Sequence, residues 1–468
     1  MRDVVVLIPG IGGSVLARDG KELWAPTPGA VLRGVLSLGR SIKRLRLDGD
    51  DPAAADVDGV VATRVVPDLH IVPGLDWKID GYTRFRKQLI ERFGAVEGEN
   101  YFEFPYDWRR DNRVAAAKLA RSAHDWLRNW REKSGAADAK LVLIGHSMGG
   151  IVSRLYLEQL DGWKDTRRLI TFGTPYSGSI NALDFLANGF RKSWGPFDVD
   201  LSDLLRSFTS AYQLLPSYRC VAGSDGTWLN LDDASLDWSR TGVDAARLRD
   251  AVQLHRGLRE QVNDRIAETG PGYEIRPVIG DFQPTRWAAR LTDGRIEVLW
   301  ARKAAGEDGG DGTVPKVSAI PHELMDGWRN ASFVSQKHGS LQNDDPVLDH
   351  VGGVLRTAEF GGVDVFPAVK DPVALAVEDV TTDEPMVVRA KTADPAAALV
   401  ATVEDLGRGV STRHPLTEAS DGWREVVLAD VLPGDYRVTV SADTVHPVTD
   451  LVSVVDLDEL ARSAEGPG

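Results

Sequence analysis

Ser147 lies in Gly145-His146-Ser147-Met148-Gly149, the segment of the chain whose spacing points most directly to chemistry. The apolar run Leu141-Val142-Leu143-Ile144 precedes it, and a helix-like stretch, Gly150–Leu160, follows. A serine on a sharp turn between a buried strand and a helix has its hydroxyl pushed above the sheet, where it can attack an acyl carbon. Glycine is expected at 145 and 149 because side chains there would strike the neighbouring strand and helix. The N-terminus of the following helix favours negative charge developing beside the serine. His146 is adjacent in sequence, but the turn should point it away, so it is read as a packing residue.

A nucleophilic serine needs a base, an acid to orient that base, and two donors for the oxyanion. After a strand–serine–helix turn, the order along the chain is Ser, then Asp or Glu, then His. Asp311, between glycines in Glu307-Asp308-Gly309-Gly310-Asp311-Gly312-Thr313, is the expected acid. Asp308 competes with it, and the segment could equally be an ordinary Asp-Gly turn or a calcium-like acidic loop. His338, in Gln336-Lys337-His338-Gly339-Ser340, is the expected base, with His322 and His350 the other downstream candidates. His70, His124, His255, His414 and His446 are read as surface or packing histidines. For the oxyanion, one N–H is expected from Met148 and the other from the early loop Leu7-Ile8-Pro9-Gly10-Ile11-Gly12-Gly13-Ser14. Gly12 is favoured as that second donor and Ile11 is the fallback. Gly10-Ile11-Gly12-Gly13 lacks the full G-x-G-x-x-G spacing, which sets a dinucleotide site aside.

These residues need a scaffold. Val4–Ile8, Leu141–Ile144 and Arg168–Phe172 read as strands buried on both faces, and Tyr82–Phe93, Asn112–Lys133 and Gly150–Leu160 carry helical periodicity. Alternating β and α units predict an α/β-hydrolase fold over 1–362, a mostly parallel sheet with helices on both faces. Segments of about 30–75 and 177–302 break the pattern and are expected to form a lid. From 363 to 458 the chain turns to short strands: Val363–Phe366, Ala374–Val377, Met386–Ala390, Ala398–Val403, Arg424–Leu428 and Tyr436–Val440. That texture predicts an antiparallel β-sandwich domain, with 459–468 a frayed tail.

Composition bounds the partners. The 468 residues are 43% hydrophobic and 26% charged, enough for a large core. A net charge of −14, from 55 basic and 69 acidic residues, argues against a nucleic-acid partner. Cys220 is the single cysteine, so neither an intrachain disulfide nor a paired-cysteine zinc site is possible. No metal and no cofactor is expected, and the disulfide-free chain predicts a cytoplasmic location.

Taken in order, the Val5–Gly13 loop, Phe104-Pro105-Tyr106-Asp107-Trp108-Arg109, the Gly145–Gly149 elbow, Phe172-Gly173-Thr174-Pro175-Tyr176-Ser177-Gly178-Ser179, Gly310-Asp311-Gly312-Thr313-Val314 and the His338 loop resemble the lecithin:cholesterol acyltransferase-like lipases. The resemblance covers roughly residues 1–350, with the lid only loosely matched. It implies acyl-enzyme chemistry on phospholipid or sterol-ester-like substrates and supports Ser147, Asp311 and His338 as the triad. The chain departs from the family in its disulfide-free lid and its C-terminal β-domain. An esterase or amidase for small soluble substrates is the second reading. A third is a hydrolase gated by a protein partner docked on the β-domain.

The segment Leu32–Leu47 is basic and apolar in an otherwise acidic chain. It suits peripheral contact with anionic lipid beside the site, and equally an amphipathic lid helix packed on the body. Trp194, Phe197, Phe208, Tyr212, Leu214 and Leu215 are expected either to line an acyl pocket or to form lid core.

Overall fold

The computed structural model describes residues 1–25, 43–67, 70–71, 78–194, 197–300, 309–325, 331–360 and 370–457. Six parallel strands form its central sheet: Val4–Ile8 (β1), Tyr101–Glu103 (β2), Leu141–His146 (β3), Thr166–Phe172 (β4), Glu274–Gly280 (β5) and Ser332–Val334 (β6). Their order is β6-β5-β4-β3-β1-β2, and every residue of the interior strands β1 and β3 is buried. Strands covered on both faces have no polar side to alternate with, which is why their sequences are continuous apolar runs.

Helices Thr83–Phe93 (α1), Asn112–Ser134 (α2), Met148–Gln159 (α3) and Asp345–Phe360 (α6) cover the two faces, while Ile180–Asn188 (α4) packs with the inserted segments and Ala245–Thr269 (α5) packs on α3. Helix α2 starts where the Asp111 carboxylate accepts the Arg113 N–H and stops at Gly135, whose φ of 71° suits a left-handed cap. One apolar cluster joins β1 and β3 to α2 and α3 through Val4, Val6, Leu119, Leu143 and Leu155. A second, on the opposite face, joins Val5, Leu7, Ile144 and Phe172 to Phe85, Leu89 and Val351 of α1 and α6. With crossover helices on both sides of a parallel sheet, this is the α/β-hydrolase architecture expected. No described helix is long and apolar enough to cross a membrane.

The lid expected over 177–302 needs correction. Its C-terminal part holds β5, a central strand, and α5, which packs on α3. Glu274-Ile275-Arg276-Pro277 hid that strand, because its first residues lie where the sheet still meets solvent and are charged. The insertions are instead Ser177 to about Asp244 and Asp281–Trp300. They share a small sheet built from Val221–Ala222, Trp228–Leu229, Ala288–Thr292 and Arg295–Leu299. Phe208, Tyr212 and Leu215 are buried packing residues, while the side chains of Trp194 and Phe197 lie outside the described residues. In the 30–75 segment, Val60–Val65 adds a strand to the Ser14–Arg18/Lys21–Trp24 hairpin. Most of Leu32–Leu47 lies outside the described residues, as do Asp308, Val363–Phe366 and the 459–468 tail.

Residues 373–455 form two facing antiparallel-rich sheets, one of four strands and one of five. Val373, Leu375, Met386, Val388, Val403, Val438, Val440 and Val452 make a core of their own between them. The predicted strands at Ala374–Val377, Met386–Ala390, Ala398–Val403, Arg424–Leu428 and Tyr436–Val440 all appear, within a few residues at their ends. The outer strand Val410–Pro415 escaped sequence reading because nearly all of it is exposed and carries little apolar alternation.

Candidate active site

The turn from β3 into α3 sets Ser147 at φ 52° and ψ −124°, a strained conformation for a residue with a side chain. The surroundings hold it there. The Ser147 N–H donates to Phe172 O at 2.8 Å, and Thr174 Oγ1 donates to Ser147 O at 2.9 Å. Both glycines behave as expected of a crowded elbow. A Cβ on Gly145 would come within 2.7 Å of the Gly150 backbone, and one on Gly149 within 2.2 Å of Ile8 O.

Ser147 Oγ lies 2.9 Å from His338 Nε2, and His338 Nδ1 lies 2.7 Å from Asp311 Oδ2. A carboxylate only accepts, so Nδ1 carries the proton and the Nε2 lone pair faces the serine hydroxyl. The other Asp311 oxygen accepts from Thr313 N–H at 2.9 Å and Val314 N–H at 2.7 Å, and Asp311 O accepts the His338 N–H at 2.9 Å. The Asp311 side chain is thus buried with both its oxygens engaged, while His338 follows the last strand of the central sheet. Gly173, at φ 54°, lets the pair pass: a Cβ there would sit 2.7 Å from Asp311 Oδ2 and 2.9 Å from His338 Nδ1. The structure therefore brings Ser147, Asp311 and His338 together across 191 residues of chain. His322 lies on a short 3-10 turn, and His350 bonds Ser332 from α6.

The oxyanion loop differs from expectation. Gly10 N–H donates to Tyr82 Oη at 3.2 Å, and Gly13 N–H closes a turn on Gly10 O at 3.0 Å. Gly12 occupies the corner of that turn at φ 74° and gives its carbonyl to Trp24 Nε1 at 2.8 Å. Gly10 and Ile11, not Gly12, form the cavity wall beside Ser147. A turn needs its glycine at the positive-φ corner, so the conformational freedom that drew attention to Gly12 serves the bend. Met148 is the first residue of α3, where helix N–H groups have no partner within the helix.

Phe104–Arg109 clamps this loop. Tyr106 Oη donates to Pro9 O at 2.9 Å and Trp108 Nε1 to Ser14 O at 3.0 Å, while the fully buried Arg109 bonds Asp107, Asp58 and Leu45 O. Tyr82 was not legible at all in the sequence. It takes the Gly10 N–H and donates to His146 Nδ1 at 2.7 Å, while His146 Nε2 donates to His338 O at 3.1 Å. The carbonyl can only accept, which fixes the His146 tautomer. Burial, reinforced by neighbouring His338, pushes the His146 pKa down to about 3, so this ring stays neutral and structural.

The cavity beside Ser147 is apolar. Ile11, Phe185, Leu186, Leu205, Leu214 and Val314 line it, with the cap supplying Phe185 to Leu214. Its volume is about 90 Å³.

The lecithin:cholesterol acyltransferase family profile matches residues 46–263, just under half of the chain and including Ser147. This agrees with the resemblance drawn from the motifs. A comparison with curated proteins gave no match. Among solved structures, a chain of the Tle4–Tli4 complex is 14% identical over 77% of this chain and 99% of that one, with a TM-score of 0.48. Bacillus licheniformis lipase BlEst2 in its propeptide form is 12% identical over 96% of this chain and 73% of that one, with a TM-score of 0.34. An immunoglobulin-like β-sandwich protein from Bacteroides vulgatus covers 18% of this chain and 98% of its own, at 15% identity and a TM-score of 0.13. At these scores they are likenesses only.

Proposed function

We propose that the protein is a serine acyl hydrolase or acyltransferase of lipid carboxylic esters. The Ser147–His338–Asp311 hydrogen-bond chain, opening onto an apolar slot, carries this reading. Ser147 Oγ attacks the ester carbonyl as His338 Nε2 takes its proton, and Asp311 stabilises the imidazolium without itself being protonated. The N–H groups of Met148 and Ile11 hold the oxyanion, with Ile11 taking the role expected of Gly12. Collapse of the tetrahedral intermediate expels the alcohol, which receives its proton from His338. Water or an acceptor alcohol then attacks the acyl-serine, with His338 again as base. The family match supports lipid esters over other acyl compounds.

The small cavity volume favours a second reading, an esterase for short soluble acyl groups. A p-nitrophenyl series from acetate through butyrate and octanoate to palmitate separates the two. Rising kcat/KM toward octanoate and palmitate is the expected outcome, with turnover lost in Ser147→Ala. A maximum at acetate or butyrate would contradict the lipid assignment.

A further inference from the structure

From this catalytic reading of His338, we infer that the C-terminal β-sandwich is a working part of the active site, holding the loop that carries the base. The three residues before His338 are each bonded to it. Ser335 Oγ donates to Val373 O at 2.9 Å and accepts the Val373 N–H at 3.2 Å. Gln336 Oε1 accepts the Thr449 N–H at 3.0 Å, and Lys337 Nζ lies 3.5 Å from Asp450 Oδ2.

The contacts are built, not incidental. Ser335 and Gln336 are 6% and 3% exposed, so their polar groups depend on these partners. Gln283, 1% exposed, does the same from the loop after β5: Nε2 donates to Val373 O at 2.8 Å and Oε1 accepts the Leu375 N–H at 3.1 Å. Gln283 also pairs through its backbone with Gly310, next to the acid. The sandwich therefore braces both the base loop and the acid loop. Gln336 also accepts the Lys337 N–H with Oε1 and donates to Asp344 Oδ2, which His446 of the sandwich meets at 3.0 Å. Strand β6 ends at Val334, so no sheet ladder fixes residues 335–337. The sandwich supplies what the ladder does not.

Displacing a general base by an ångström can cost on the order of a hundredfold in rate. Ser335 and Gln336 are accordingly positioning residues, and the intact chain tests them. Ser335→Ala and Gln336→Ala are expected to lower kcat per titrated Ser147 about tenfold with KM nearly unchanged, and Ser335→Thr, which keeps the hydroxyl, to restore most of it. The low-field proton resonance of His338 Nδ1–H against Asp311 should broaden or shift in both Ala variants. A lower titratable fraction with unchanged kcat per site would make the contacts purely structural and overturn the inference. The proton resonance reads His338 position without any substrate. Its persistence unaltered in both Ala variants would overturn the inference even were ester turnover itself absent, an absence that would count against the hydrolase reading alone.

Discussion

Tyr82 joins three parts of the site with one hydroxyl. It accepts from Gly10 of the oxyanion loop and donates to His146 of the elbow, whose other nitrogen holds the carbonyl of His338. Tyr82→Phe would keep the ring against His146 but strand a buried N–H and a buried imidazole nitrogen. The expected cost is about 1–3 kcal/mol in urea unfolding, with a fall in kcat larger than any change in KM. Unchanged stability and kcat would show that the relay holds nothing in place. Sequence spacing singled out Ser147 and favoured Asp311 and His338 over Asp308, His322 and His350, and the structure brings those three within hydrogen-bond distance. Spacing could not lead to Tyr82, which has no local pattern and is defined only by what it meets across 64 residues of chain. Gly12 drew attention for a related reason: positive φ marks a corner, whereas its neighbours Gly10 and Ile11 face the cavity.

At the scale of elements, the helix that follows Ser147 is tied to the rest of the fold by buried charge. Glu158 of α3, with no side-chain exposure, accepts from Arg265 of α5 at 2.6 Å and from Tyr273 Oη at 2.8 Å. Arg154, one turn earlier, pairs with Glu323 at 2.7 Å and bonds Tyr273. Removing one member of such a cluster leaves uncompensated charge in a dry site. Glu158→Ala should cost about 3–5 kcal/mol by urea unfolding, and Glu158→Gln less, because it keeps the side chain's volume and one acceptor oxygen. A loss in Glu158→Ala below about 1 kcal/mol would mean the pair is solvated like a surface bridge. Strands β1 and β3 were legible because burial on both faces leaves an uninterrupted apolar signature. Strand β5 was not, since charged residues and Pro277 open it at the sheet's solvated end. Helix α5 hid for another reason: its apolar positions are sparse among twenty-five largely polar residues, and only packing on α3 reveals its inner face.

At the scale of the whole molecule, a change of texture near residue 362 correctly announced a β-sandwich but gave no hint of how it is used. Its core is apolar and its own, whereas its contact with the hydrolase unit is polar and specific. Several of these contacts are made by backbone groups at Val373, Leu375 and Thr449, which no side-chain pattern encodes. The same arrangement places Ser147, Asp311 and His338, from three distant stretches of chain, in one hydrogen-bonded chain beside one slot. That convergence is the central claim, and reaction of the intact protein with a fluorophosphonate, followed by peptide mass spectrometry, tests it most directly. The account predicts a single adduct on the peptide containing Ser147, absent in Ser147→Ala and at least about a thousandfold slower to form in His338→Ala. An adduct on another serine, or labelling that survives Ser147→Ala, would contradict it.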